Sequence, residues 1–444
     1  MPRIVIAGAG VAGLEALAAL RSHLGTAAEI ELLDGTTELV ERQWSVLVPF
    51  GGPAPRRFDL FRIARDHGAR LRPDQLGAVE PDRGRLRTVR GDVLGYDALL
   101  VAVGARHDVA IPGALTFSGP RDAGAFSRLL DELRAGRVRR VVFAVPSGVA
   151  WSLPLYELAL MTADELRRSG VEGAELAFVT PEREPLEAFG AAVAEQVRGL
   201  LDARGIEVET GTAAVRIGAR GLELGNGDAR AADAVVALPR LRGPWVGGLP
   251  HDDDGFLVVD EHGAVTGAPA VWAAGDGTSF PIKQGGLAAQ QADAAAAAIA
   301  ARFGAAVDPA PFRPALRALL TEGGGTRYLA QPGVEAGAAT ASGPWPPSKV
   351  LSKHLARHLA TTLPEEAAGA KDAPAVDVGE LLLTLAARHA QAGDRALALR
   401  CLDAADQLLG GLPEPSAQRR GRLRRELVEA RSALARARRD VAPT

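Results

Sequence analysis

Residues 3–15, Arg-Ile-Val-Ile-Ala-Gly-Ala-Gly-Val-Ala-Gly-Leu-Glu, constrain this chain more than any other stretch. A β-branched apolar run leads straight into Gly8, Gly10 and Gly13 and then into an alanine- and leucine-rich helical pattern. In such a strand–turn–helix unit the first glycine permits the tight turn. The second lets a pyrophosphate approach bare backbone, and the third lets the helix sit close on the strand. The helix N-terminus then offers free N–H groups and a positive dipole end to the phosphates. The unit also requires an acid closing the next strand, and Glu29-Ile-Glu-Leu-Leu-Asp supplies Asp34, placed for a ribose 2′-hydroxyl. The pattern predicts a dinucleotide-binding domain, with a glycine-rich turn that binds nothing as the alternative.

The chain has 444 residues, 47% of them hydrophobic and 24% charged, enough for two or three domains around a large core. A formal net charge of −3 gives no global case for nucleic acid, and none is expected as a partner. The first strand begins after two residues, which leaves no room for a signal peptide, and the alanine-rich stretch 294–301 is too short and too weakly apolar to span a bilayer. The expected location is cytoplasmic, with peripheral contact at the inner membrane face left open. A single cysteine, Cys401, rules out an internal disulfide and a C-x-x-C centre.

In chain order, Glu41-Arg-Gln-Trp-Ser-Val reads as a loop in which Arg42 and Trp44 either meet a cofactor or stand exposed. A doubly buried strand follows at 96–104, ending at Gly104. A second strand–turn–helix unit starts at Arg140-Val-Val-Phe-Ala-Val, with its helix expected over 157–169. Its turn keeps only Gly148 and carries Pro146, Trp151 and Pro154, so a nicotinamide cofactor, NAD(P)H, docks there poorly or not at all. Ala270-Val-Trp-Ala-Ala-Gly-Asp-Gly then returns to the first sheet and an alanine-rich helix follows. These units predict an α/β fold of two nested Rossmann-like dinucleotide-binding domains with a C-terminal α-helical extension. The expected divisions are 1–115 with 233–310, an inserted 116–232, a cap segment 311–362, a linker 363–375 and a helical tail 376–440.

At Ala273-Ala-Gly-Asp-Gly the chain resembles the second flavin-binding motif of the pyridine nucleotide-disulfide oxidoreductase superfamily, in its sulfide:quinone oxidoreductase and type II NADH dehydrogenase branch. The resemblance covers about residues 3–360. It includes Val101-Ala-Val-Gly104, Pro154-Leu-Tyr-Glu157, Val179-Thr-Pro, Lys283 before Gly285-Gly286, and Leu319-Leu-Thr-Glu-Gly-Gly-Gly-Thr-Arg-Tyr-Leu. It implies FAD, with Gly8, Gly10 and Gly13 at the pyrophosphate, Asp34 at the adenosine ribose, and Gly275-Asp276 at the ribityl chain. It also implies that the helix after Gly285 and Gly286 points at the flavin N1–C2=O edge, where Lys283 adds positive charge as the catalytic candidate. Two departures stand out. Trp151 occupies the position of the sulfide enzymes' cysteine, so sulfur chemistry is not carried over, and Val103 stands where the superfamily often has Thr.

His354 and His358 have a metal-compatible i, i+4 spacing, but no third ligand accompanies them and no metal is expected. The same segment, with Leu351, Leu355 and Leu359 on one stripe and Lys349, Lys353 and Arg357 around it, predicts an amphipathic helix, on the protein body or on a membrane near a quinone entrance. The tail reads as a helical hairpin turning at Gly393-Asp394, followed by an arginine-rich helix over 416–439. That tail is expected to be separable from the body, with Cys401 remote from the flavin. The reading is an FAD-dependent oxidoreductase working between a small-molecule donor and a quinone or other small acceptor, without a cysteine pair. The alternative is an idle flavoprotein-like chain that recruits a protein partner through its C-terminal helices.

Overall fold

Strands with no polar face can satisfy their burial only inside a parallel sheet covered on both sides, and the chain places them there. The computed structural model describes residues 1–331, 348–355, 373–391, 393–410 and 417–439, and contains two five-stranded parallel sheets. The first runs in the order Val271–Ala273, Ala98–Val101, Arg3–Ala7, Glu29–Asp34 and Arg70–Pro73. The second runs Leu115–Thr116, Ala234–Ala237, Arg140–Ala144, Glu175–Val179 and Ile206–Glu209. The chain leaves the first sheet after Val101, builds the whole second sheet, and returns at Val271.

Register decides where the site falls. Ala7 pairs with both Leu33 and Val101, and Val101 pairs with Ala273. The residues that follow each strand therefore leave the sheet along one edge: Gly8, Asp34, Ala102 to Gly104, and Ala274 to Asp276. Ligands of open parallel sheets bind outside these carboxyl ends.

The helices Val11–Leu24 and Gly285–Arg302 pack on this sheet and on each other through small residues, among them Ala12, Ala16, Ala19, Ala288, Ala292 and Ala295, all buried in one cluster. Small side chains bring the two backbones close, and a larger side chain in such a seam costs about 1–3 kcal/mol by overpacking.

Three local expectations change. The stretch after Glu41 is not a loop but a 3-10 helix, Arg42–Phe50, because Trp44, Val46 and Leu47 face inward and are buried. The second unit's helix starts at Leu153, with Pro154 in its first turn, where a missing N–H costs nothing. Helix also begins at Ala373, three residues before the expected start of the helical tail; residues 363–372 lie outside the described residues.

Candidate functional site

The carboxyl edge of the first sheet opens into a cleft of about 330 Å³. Of the candidate residues, Gly10, Arg42, Gly104, Gly275, Asp276, Lys283 and Gly285 line it. Gly8, Gly13, Asp34 and Gly286 stand behind that wall. The glycines differ in what they are for. A Cβ at Gly8, whose φ is +106°, would meet the Ala102 carbonyl oxygen at 2.2 Å, and one at Gly13 would meet the Gly8 carbonyl oxygen at 1.8 Å. These two are required by the protein's own packing. Gly10 has φ −75° and ψ −167°, open to any residue, and a Cβ there would have nothing within 4 Å. Its missing side chain therefore serves space at the cleft and not the backbone. That is the cradle a pyrophosphate needs above a helix N-terminus, and the residues present fit an FAD.

Asp34 holds the turn: Oδ2 accepts from the Ala9 N–H at 2.6 Å and Oδ1 from the Thr36 N–H at 2.8 Å. Gly286 lies buried under the start of the Gly285–Arg302 helix, where the Gln284 side chain accepts from the Leu287 N–H at 2.8 Å. Gly285 and Ala288 line the cleft, so the N-terminal end of this helix points into it.

Charge is concentrated at the same place. The Lys283 ammonium donates to the Thr278 carbonyl at 2.5 Å and lies 4.0 Å from the centroid of the buried Phe256 ring. Burial, and then repulsion by Arg400, push its pKa down to about 7 against the pull of Asp276 and Asp252. Burial raises the Asp276 carboxyl, opposed by Lys283, Arg42 and His107. His107 lines the cleft as well, its pKa lowered by burial and by Arg42.

Two cations in the cleft wall were not legible in the motifs. Arg400, 8% exposed, arrives from the C-terminal helix Arg395–Gly410. Its guanidinium donates to Asp254 at 2.5 Å and lies 4.8 Å from the Phe256 centroid. Burial works against ionisation of Asp254, but Arg400 and then Arg242 outweigh it and hold the carboxyl below its usual range. Lys349, also buried, pairs with the buried Glu157, whose Oε1 accepts from the Thr321 N–H at 2.7 Å as well. Burial lowers the Lys349 pKa and Glu157 opposes it.

The expected amphipathic helix is not formed over 349–355. Lys349, Val350 and Leu355 turn inward, and the N–H groups of Lys353, His354 and Leu355 donate to the fully buried Glu15 carboxylate at 2.8, 2.8 and 2.5 Å. His358, Arg357 and Leu359 lie outside the described residues. Among the described residues no group of three or more His, Cys, Asp or Glu side chains could hold a metal, and no helix is long and apolar enough to cross a membrane.

Cys401 is not remote. It is fully buried behind Arg400, close enough for Lys283 and the thiol to influence each other, and burial pushes the thiol up to about 12. Such a thiol is no nucleophile at neutral pH. Trp151, at the position where the resemblance implied a cysteine, lines the cleft and packs against Phe189 with ring centroids 5.8 Å apart.

Two parallel sheets, one carrying a complete glycine cradle at its carboxyl edge, define the two-dinucleotide-fold oxidoreductases. The chain belongs to the pyridine nucleotide-disulphide oxidoreductase family, whose model matches residues 2–299. It is accordingly an FAD-dependent oxidoreductase. Its fold is shared with the sulfide:quinone oxidoreductase of Aquifex aeolicus at 20% identity and a TM-score of 0.68, over 74% of this chain and 83% of that one. A ferredoxin reductase from Rhodopseudomonas palustris is similar at 19% identity and 0.57, over 74% and 82%. NDH2 from Plasmodium falciparum, solved with NADH, is similar at 15% and 0.51, over 62% and 64%. No curated protein sequence matches at a significant level.

Proposed function

We propose that this chain passes electrons through FAD alone, from a small organic donor to a quinone-type acceptor, with no thiol step. The observation that carries this reading is the composition of one cleft. Gly10, Gly104, Asp276, Lys283 and Gly285 meet there, while the wall position of the expected thiol is Trp151. FAD, when bound, supplies the redox chemistry, taking two electrons from the donor and giving them to the acceptor.

The chain's own residues do the rest. Gly10 and the helix after it would hold the pyrophosphate, Asp34 at the end of the second strand would serve the adenosine ribose, and Asp276, with Arg42 and His107 beside it, would serve the ribityl chain. The N-terminus of the Gly285–Arg302 helix and Lys283 both line the cleft and would favour negative charge gathering on a bound flavin as it is reduced. Its pKa is pushed down to about 7 by burial, so the Lys283 ammonium would be held more firmly if negative charge formed next to it. Trp151, Phe117, Leu238 and Leu319 give the cleft an apolar side that suits a planar quinone.

Gly10→Val tests the cofactor site. The backbone there accepts any residue and the added side chain meets no protein atom at its Cβ, so the variant should fold and be colourless. A yellow Gly10→Val protein sinks the assignment. For the acceptor, the protein reduced under anaerobic conditions should recover its flavin absorbance on addition of a soluble quinone, and sulfide should not bleach the oxidised form. Failure of the quinone to restore the colour removes that half of the reading.

A further inference from the structure

We propose that the turn between the first two C-terminal helices fills the phosphate seat of the second dinucleotide fold, so that Asp394 and a nicotinamide dinucleotide exclude one another. This rests on the FAD reading, because only a chain that keeps flavin in the first fold has a use for the second.

The comparison between the two turns motivates it. In the first fold, the glycine facing the cleft opens onto empty space. In the second, a Cβ on Gly148, whose φ is +81°, would meet the Asp394 Oδ2 at 2.6 Å and the Arg240 Nε at 3.2 Å. A carboxylate thus already makes the close approach to bare backbone that a phosphate makes in a working site. Around it remains a polar cavity of about 460 Å³, lined by Pro146, Ser147, Gly148, Gly393 and Asp394 of the turn and the helix start Arg395 and Ala396, with Arg240, Arg400 and the Asp254 carboxylate on its walls. The Arg240 Nε is buried without a hydrogen-bond partner, and one of its terminal nitrogens donates to the Ser147 carbonyl at 3.3 Å. Arg400 is already paired with Asp254, which also lines this cavity, so the cations beside the glycine turn that suit a phosphate are Arg240 and Arg395, and the carboxylate of Asp394 sits beside them in a phosphate's place.

The turn is held down from both sides. Asp394 Oδ1 accepts from the Leu397 N–H at 3.1 Å and caps its helix, whose Arg400 then reaches Asp254. The preceding helix is fixed by Arg388 donating to Glu187 at 3.0 Å. The acid after the second strand of this fold has also been withdrawn. Glu182, 7% exposed, accepts from Ser152 at 2.9 Å, Tyr156 at 2.6 Å and Thr180 at 2.8 Å, and so does not serve a ribose hydroxyl. Whatever nucleotide affinity remains is carried by phosphates, which places NADPH at least level with NADH.

The test uses the full-length, flavin-loaded chain and calorimetric titration with NADPH, NADH and ADP-ribose. The wild type should show no saturable binding up to about 1 mM. Asp394→Ala should bind NADPH at least about tenfold more tightly, and Asp394→Asn, which keeps an acceptor for the Leu397 N–H, should fall between. Because exclusion is reciprocal, any binding forced on the wild type at higher NADPH concentrations should raise tryptic cleavage after Arg395. Micromolar binding to the wild type with the turn still protected overturns the proposal. So does an Asp394→Ala protein that keeps its flavin and gains no affinity. Should the alanine variant lose its flavin, Asp394→Asn decides by the same criterion. A wild type purified without flavin would count against the function proposed above, while the nucleotide titration would still decide this inference.

Discussion

At the scale of single residues the cleft is a balance of charges, and Lys283 is its most sensitive member. It shares Phe256 with Arg400 and its pKa is pushed to about 7, so in the oxidised protein a cation is held there at a cost. Negative charge on the reduced cofactor would remove that cost, which makes the interaction stronger in one redox state than in the other. Lys283→Met should therefore make the flavin midpoint potential more negative by roughly 20–40 mV, corresponding to about 1–2 kcal/mol for a two-electron couple. Equilibrium titration against a reference dye reads this directly, and an unchanged potential would show that the lysine only props Thr278. Lys283 reaches the cleft as its sequence position suggests, because it lies in the loop between the strand Val271–Ala273 and the Gly-initiated helix, whose ends both open into it. Arg400 and Lys349 were not legible, since nothing near them in sequence says that they return to the cleft. Trp151 stood out as a departure from the family, but only the fold shows that its ring faces the cofactor side.

At the scale of elements, the helix Val11–Leu24 does more than open the cleft at its N-terminus. Its Glu15 is fully buried and collects three consecutive backbone N–H groups from 353–355, so a segment whose side-chain pattern suggests a surface helix is instead clamped beneath the first domain. Apolar periodicity shows which side chains seek burial but not which carboxylate will claim the backbone. The parallel strands, apolar along their whole length, were legible for the opposite reason: only one environment suits them. Across from Glu15, Asp293 of the Gly285–Arg302 helix is pushed well above its usual range by burial and then by Glu15, with Lys353 opposing. The folded chain therefore holds a proton that the unfolded chain has already released. Stability falls as pH rises above the ordinary aspartate value of 3.8 towards the raised one. Asp293→Asn removes this penalty. It should stabilise the protein by about 1–2 kcal/mol at pH 8, with the gain shrinking towards pH 4. Thermal unfolding of both proteins across that range checks it, and a gain that stays constant with pH would mean that the pair does not share a proton.

At the scale of the whole molecule, the C-terminal helices belong to the body. A stretch such as 363–375 reads as a linker because it lacks periodicity, but composition cannot tell where the next apolar face will land. Here Leu381, Leu382, Leu385, Leu397, Cys401 and Leu402 are buried in the same continuous cluster as Phe143, Phe178 and Phe189 of the second sheet and its surroundings. Polar contacts follow the same geometry. Arg388 meets Glu187, Arg400 meets Asp252 and Asp254, and Gln407 donates to the Val259 carbonyl at 2.9 Å. The leucine stripe of the helix Ala417–Arg439, through Leu423, Leu427 and Leu434, is consumed in this cluster, while Arg422 and Arg431 pair with Glu380 and Asp403 of the hairpin. A chain ending at Asp372 would lose the tail side of that core and the Arg388 partner of Glu187, which would keep only Arg183 at 3.7 Å. Exposing the equivalent of only three or four large apolar side chains costs roughly 5–10 kcal/mol, comparable with the entire stability of a typical fold. The truncated protein should therefore aggregate or shed its flavin on purification, and its unfolding midpoint in urea should fall well below that of the full chain. A yellow, monodisperse protein ending at Asp372 with an unchanged midpoint would show that the shared cluster is dispensable to the flavin domains, and would restore the tail to the status of a separable module.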